Sequence, residues 1–177
     1  GMGQTAENLV EIYGIEREAQ DLFAYNSHMK AAAARGSGRL AEEIVAVEIQ
    51  QRKENPIIFN QDEFIKPNTS LESLVKLRAA FKKDGSVAAG NSSGLNDGAA
   101  AILVASDRAL KDHNLKPMAR IVSAAVAGVE PRIMGIGPVY ASEKALKRAG
   151  LSLNDMDVIE LNEAFSAQSL ACTRKMG

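Results

Sequence analysis

The stretch Ser86-Val87-Ala88-Ala89-Gly90-Asn91-Ser92-Ser93-Gly94-Leu95-Asn96-Asp97-Gly98-Ala99-Ala100-Ala101-Ile102-Leu103-Val104-Ala105-Ser106 decides how this chain folds. Ser86 to Ala89 reads as a short strand. Gly90 to Gly98 holds three glycines and five small polar residues in nine positions. Ala99 to Ser106 then runs without a charge, the pattern of a strand buried on both faces. Ser106-Asp107 caps a helix through Leu110. Met118 to Gly128 reads as a further strand, and Glu130 to Pro138 as a Gly/Pro-rich loop. Pro138 suits position N1 of the next helix and Gly150 its C′ end. Val139, Ser142, Ala145, Leu146 and Ala149 form its packed stripe. Asp157 to Leu161 is a short strand that exits through Asn162-Glu163 into a last helix from near Ala164. This alternation of strands and helices is that of an α/β layer.

Upstream the chain reads as helices. Thr5 is a candidate N-cap, with Glu7 in the first turn and an end near Tyr13-Gly14. A second helix starts near Glu16. It places Ala19, Leu22, Phe23, Met29 and Ala33 on one face and stops at Arg35-Gly36. Glu43 to Ile49 switches to period two, a half-buried strand. Residues 51 to 70 are polar, with Pro56 and Pro67, and form a long excursion. Thr69 and Glu72 make a capping-box pair opening a helix striped by Leu71, Leu74, Val75, Arg78 and Phe81, ended by Lys83-Asp84-Gly85.

The 177 residues are 46% apolar and 24% charged, with 21 basic and 22 acidic side chains. A net charge of −1 gives no electrostatic support to nucleic-acid or anionic-membrane binding. No apolar run approaches the ~20 residues of a bilayer span, and no secretory signal opens the chain. One cysteine, Cys172, excludes an internal disulfide and fits a reducing, cytoplasmic setting. No second Cys or His stands at metal-ligand spacing, so no metal site is expected.

Three places can carry chemistry. Asn162 stands where a strand hands over to a helix, the end of an α/β sheet where ligands gather. Its amide can hold a water or support an oxyanion, or it can simply cap the helix. Gly90 to Gly98 lets a ligand approach the backbone, and Ser92 or Ser93 can donate to a carbonyl or phosphate; the alternative is a tight turn feeding a buried strand. Neither GxxxxGK[ST] nor GxGxxG is present. Ile133-Met134-Gly135-Ile136-Gly137-Pro138 sets a methionine among glycines at a helix start, as a pocket wall or a packing corner. His28 and His113 read as helical residues among polar neighbours, and Cys172 as a small buried residue.

Several segments together resemble the thiolase family, of the acetyl-CoA acetyltransferase type. They are Met2-Gly3-Gln4-Thr5-Ala6-Glu7-Asn8, Lys76-Leu77-Arg78-Ala79-Ala80-Phe81, Ala89 to Ala100 as quoted above, Ile133 to Pro138, and Glu160-Leu161-Asn162-Glu163-Ala164-Phe165-Ser166-Ala167-Gln168. Their order and spacing run through the whole chain. The resemblance implies a partial thiolase fold: a helical loop domain with a strand excursion over 1–85, the last strand and helix of the N-terminal domain over 86–115, and the first half of the C-terminal domain over 116–177. It implies acyl transfer between acyl-CoA and CoA, in which a thiolate attacks a thioester or ketone carbon to form an acyl-enzyme.

By the same resemblance, Asn162 holds a water that supports the developing oxyanion. Ser93 bonds the pantetheine arm, and Phe165, Met134 and Met2 line the pantetheine and acyl pocket. Ser73 and Lys66 meet the nucleotide end of CoA; Lys66 stands where relatives often carry Arg, whose fork binds phosphate at two points. Ser166 occupies a common Ala position. Thiolases are roughly twice this length. Their nucleophilic cysteine precedes the Met2 segment, and a Gly-His-Pro histidine and a Cys-x-Gly cysteine follow the region matched here. None of these is in this sequence, so the isolated chain is expected to be inactive and to expose strand edges that favour association. Full-length relatives are expected as dimers or tetramers. The alternative is a non-catalytic CoA-binding or oligomerisation module.

Overall fold

The computed structural model describes residues 1–177. Six α-helices and one two-stranded ribbon follow in the order α1 (Met2–Tyr13), α2 (Arg17–Gly36), β1 (Val47–Ile49), β2 (Ile57–Phe59), α3 (Leu71–Val75), α4 (Asp107–Asp112), α5 (Gly137–Ala149) and α6 (Ser166–Met176). A 3-10 segment, Pro131–Ile136, leads into α5.

The core forms where α1, the 131–136 segment, α5 and α6 meet. Leu9, Ile15, Ile136, Val139, Ala171 and Cys172 close one cluster. Ala6, Val87 and Ala167 close a smaller one beside it. Close approach of the 131–136 segment to α6 needs Gly135, because a Cβ there would meet Leu9 and Gln168 at 2.9 and 2.8 Å.

Several helix boundaries follow local rules. Tyr13-Gly14 ends α1 with Gly14 left-handed at φ 58°. Ser106 caps α4 by accepting from the Ala109 N–H. Helix α5 opens at Gly137, one residue before the expected start, with Pro138 second, and left-handed Gly150 closes it. Others differ. Helix α1 begins at Met2, and the Thr5 hydroxyl donates to the Met2 carbonyl instead of capping. Helix α2 runs through Gly36 to a cap at Ser37. The α3 capping box joins Ser70 with Ser73, not Thr69 with Glu72, and the helix ends at Val75. Helix α6 starts at Ser166 with Phe165 extended before it.

The face of α2 is the larger correction. Leu22 is exposed, and the buried positions are Gln20, Asp21 and Ala24. Polar side chains face inward there because each finds partners in the 86–91 turn: Gln20 Nε2 donates to Ser86 Oγ at 2.8 Å, and Asp21 Oδ1 accepts from Asn91 Nδ2 at 2.9 Å.

The strand expectations fail for one physical reason. A strand exists through its ladder, and no segment of this chain pairs with 99–106, 118–128 or 157–161. Most of the apolar side chains in these stretches lie in solvent, with Ile102 87% and Val158 85% exposed, while Leu161 packs against the core cluster. Ser86 to Ala89 makes only an isolated antiparallel bridge, Ala79 to Ala88. The strand expected over 43–49 shortens to β1, paired antiparallel with β2 in a ribbon exposed throughout. Solvent reaches 13397 Å² of the chain. A compact monomer of this length shows about 8,300 Å².

Candidate functional site

Buried hydrogen bonds position the glycine-rich turn. Glu7, 2% exposed on α1, turns its carboxylate into the backbone at 85–87. Its Oε1 accepts from Val87 N at 2.8 Å and Ser86 N at 3.0 Å. Gly85 has to be glycine, since a Cβ would overlap that carboxylate. Asn91 then folds back: its Oδ1 accepts from Ala88 N at 2.8 Å. Ser92 forms an antiparallel bridge with Phe165, and Ser93 N donates to the Ala164 carbonyl at 3.0 Å. The Gly90–Gly98 loop is thus joined to the Asn162–Ser166 segment, two of the three places that carry chemistry in the sequence.

A cleft of about 220 Å³ opens beside this junction. Ser27 and His28 of α2 form one wall, Phe64 another, and Ser93 and Glu163 a third. The Ser27 hydroxyl donates to Glu163 Oε2 at 2.5 Å and ties α2 to the residue after Asn162. His28 Nδ1 accepts from Lys66 N at 3.3 Å, and its ring sits 6.0 Å from that of Phe64. Lys66 Nζ lies 5.5 Å from the Phe64 ring centre, a cation on an aromatic face. The imidazole is held below its ordinary range, first by burial, then by the Lys66 charge, against an opposing pull from Glu163.

On the other side of the junction, Phe165 meets Phe81 edge-on, with ring centroids 5.9 Å apart and planes at 88°. The Phe81 ring lies on Gly3, where a Cβ would overlap it. Met2 and Met134 stay about half exposed at the start of α1 and in the 131–136 segment that packs on it.

The structure brings Ser93 and Glu163 to one cleft, bridges Phe165 to Ser92 behind it, and bonds the Lys66 backbone to His28; Asn162 is exposed and does not line the cleft. Ser73 stands apart: its hydroxyl donates to the Ser70 carbonyl at 2.7 Å and accepts from Ser70 N, within the α3 cap. Five residues that spacing alone did not mark as site residues belong to this region: Ser27, His28, Phe64, Phe81 and Glu163. The dipeptide Ser27-His28, a polar interruption between the apolar Phe23-Ala24 and Met29 positions of α2, is the one sequence signal that could have found the cleft wall. Cys172 is buried, its thiol pushed up by that burial, and its Sγ donates to the Gly135 carbonyl at 3.2 Å. No group of three or more His, Cys, Asp or Glu side chains gathers to hold a metal. No helix is long and apolar enough to cross a membrane.

Comparison with known proteins gives the same reading over the full length. A family model described as "Thiolase, N-terminal domain" matches residues 1–108, and one described as "Thiolase, C-terminal domain" matches residues 115–177. The chain is 54% identical to a beta-ketoadipyl-CoA thiolase of Acinetobacter baylyi, over 99% of this chain and 44% of that protein. It is 57% identical to a probable acetyl-CoA acyltransferase of Staphylococcus aureus, again over 99% of this chain and 44% of the relative. Its fold is similar to that of the Bacillus anthracis acetyl-CoA acetyltransferase, with TM-score 0.96 and 48% identity over 99% of this chain and 44% of the other. It is also similar to a human mitochondrial 3-ketoacyl-CoA thiolase in complex with CoA, with TM-score 0.93 and 48% identity over 99% and 43%. The chain thus spans less than half the length of the relatives it matches.

Proposed function

This chain belongs to the thiolase family, and we propose that it forms the acyl-CoA-holding part of an acyl transfer between acyl-CoA and CoA. One observation carries the reading: the Ser93 turn and the Asn162–Phe165 segment are hydrogen-bonded to each other beside a cleft. A pantetheine arm entering there meets Ser93 with the Phe64 ring beside it, while the Phe81–Phe165 pair packs behind the Ser92–Phe165 bridge. Lys66, at the mouth beside Phe64, supplies a cation for the phosphates. The similar human thiolase binds CoA, which supports CoA as the ligand of this cleft.

Within that arrangement Asn162 supports a water that hydrogen-bonds the oxyanion formed when a thiolate attacks the acyl carbon. A donor of this kind stabilises the transition state by about 3 kcal/mol in an intact site. The thiolate itself and its base are not supplied here, because the sole cysteine is buried in the core and neither Gly-His-Pro nor Cys-x-Gly occurs. The 177-residue chain is accordingly inactive alone. Titration calorimetry with CoA tests the binding half, with saturable one-to-one binding expected. A folded chain that shows no saturable heat overturns the reading. A coupled assay for acetoacetyl-CoA cleavage tests the other half, and turnover lost on Asn162→Ala would overturn the assignment of inactivity.

A further inference from the structure

We propose that Asp21 is a positioning residue for the CoA cleft: its buried carboxylate, fixed by Arg17, sets the Asn91 amide and through it the placement of Ser93. The proposal rests on the CoA reading of this cleft. Asp21 touches no part of the cleft itself and acts through Asn91, which lines it.

The connections form one chain. Arg17 Nη2 donates to the carbonyls of Leu74 and Leu77 at 2.8 and 2.9 Å, which anchors the guanidinium at the end of α3. Its Nε donates to Asp21 Oδ2 at 2.8 Å. Asp21, 1% exposed, turns its other oxygen to Asn91 Nδ2 at 2.9 Å. Asn91, 2% exposed, spends its remaining amide capacity on the Ser86 carbonyl and on Ala88 N. Every polar atom of that side chain is committed, so its rotation is fixed. The next two residues are then handed to the opposite wall, Ser92 by its bridge to Phe165 and Ser93 by its bond to Ala164.

A buried ion pair is seldom needed for stability alone, since apolar side chains of similar volume hold helix to turn as well. A carboxylate adds direction. It aims one oxygen at the guanidinium and the other at an amide two residues from Ser93. Asp21→Asn offers that amide a weaker neutral acceptor and can present a donor to it. Asp21→Glu keeps a carboxylate that can serve both Arg17 and the Asn91 amide from a longer arm.

The test is CoA titration of the 177-residue chain and three variants, with amide exchange at Ala88 and Ser93 read in the same samples. Asp21→Asn is expected to weaken CoA binding about ten-fold and to speed exchange at both amides, as loss of one charge-assisted bond predicts. Asp21→Glu is expected to recover part of that affinity, with exchange at the core residue Leu9 unchanged in every variant, a pattern that a general loss of folding does not produce. Should Asp21→Asn not fold, Arg17→Lys, which keeps a cation but loses the fork that holds Asp21, is expected to show a smaller loss in the same direction. Wild-type affinity in a folded Asp21→Asn chain, or affinity lost only in step with faster exchange at Leu9, overturns the proposal while leaving the CoA reading in place. A wild-type chain without CoA binding overturns both.

Discussion

Truncating Glu7 to alanine asks what a buried carboxylate contributes when its partners are backbone amides. Glu7 is 2% exposed and accepts from Ser86 N at 3.0 and 3.2 Å and from Val87 N at 2.8 Å. Glu7→Ala leaves the fully buried Val87 N–H unpaired and the half-buried Ser86 N–H nearly so. Each orphaned donor costs about 1–3 kcal/mol, so the pair costs about 2–5 kcal/mol. Glu7→Gln keeps a carbonyl oxygen in the place of Oε1 and retains both short bonds as neutral ones, a loss of about 1 kcal/mol. For this chain length 1 kcal/mol moves the melting midpoint by about 2–4 °C. The alanine variant should melt roughly 4–20 °C lower and the glutamine variant about 2–4 °C lower, at one fixed protein concentration. Thermal unfolding by circular dichroism reads both, and amide exchange at Val87 reads the local opening. Equal shifts in the two variants, or unchanged protection of Val87 in the alanine variant, would refute the assignment of Glu7 as the tie between α1 and the glycine-rich turn.

Three further outcomes follow from the same geometry. Gly3→Ala drives a Cβ into the Phe81 ring and should cost about 1–3 kcal/mol in thermal stability, with loss of the Phe81–Phe165 contact visible as ring-proton shifts. His28, held low in the fold, makes stability fall with acidification: above its ordinary value near 6.5 the ring is neutral in both states, and below it the unfolded chain takes up the proton first. That proton competes with the Lys66 N–H for Nδ1, so a histidine proton titration should show a midpoint below 6.5 together with release of the 64–66 segment; a midpoint at or above 6.5 contradicts this. Cys172 should resist alkylation at pH 8 and react at once in denaturant, because burial both screens its thiol and keeps it protonated.

Of the residues given a site role by the resemblance, Ser93 alone lines the cleft, and the walls built by α2 and Phe64 were not legible. Pro138 and Gly150 mark their helix ends by backbone chemistry alone, and the structure keeps the Gly150 end and moves the start by one residue, to Gly137. The Gly90–Gly98 loop and the Asn162 exit stood out because their residue types are unusual for plain connections. The buried face of α2 was not legible, because apolar periodicity assumes that the inward side is greasy, whereas Gln20 and Asp21 are drawn inward by partners some 65–70 positions away. His28 was missed for the same reason: its worth comes from Phe64, Lys66 and Glu163, none of them local. The strands over 99–106, 118–128 and 157–161 carry the right composition, but composition describes a segment's preference and a ladder requires a neighbour.

Those unladdered stretches set how the chain meets denaturant. The slope of unfolding free energy against urea, and the heat capacity of unfolding, both grow with the surface newly wetted on unfolding. Here a large share is wet already, so both should fall well short of the values usual for 177 residues, and the melting curve should be broad. A steep transition would instead report that these segments have found cover.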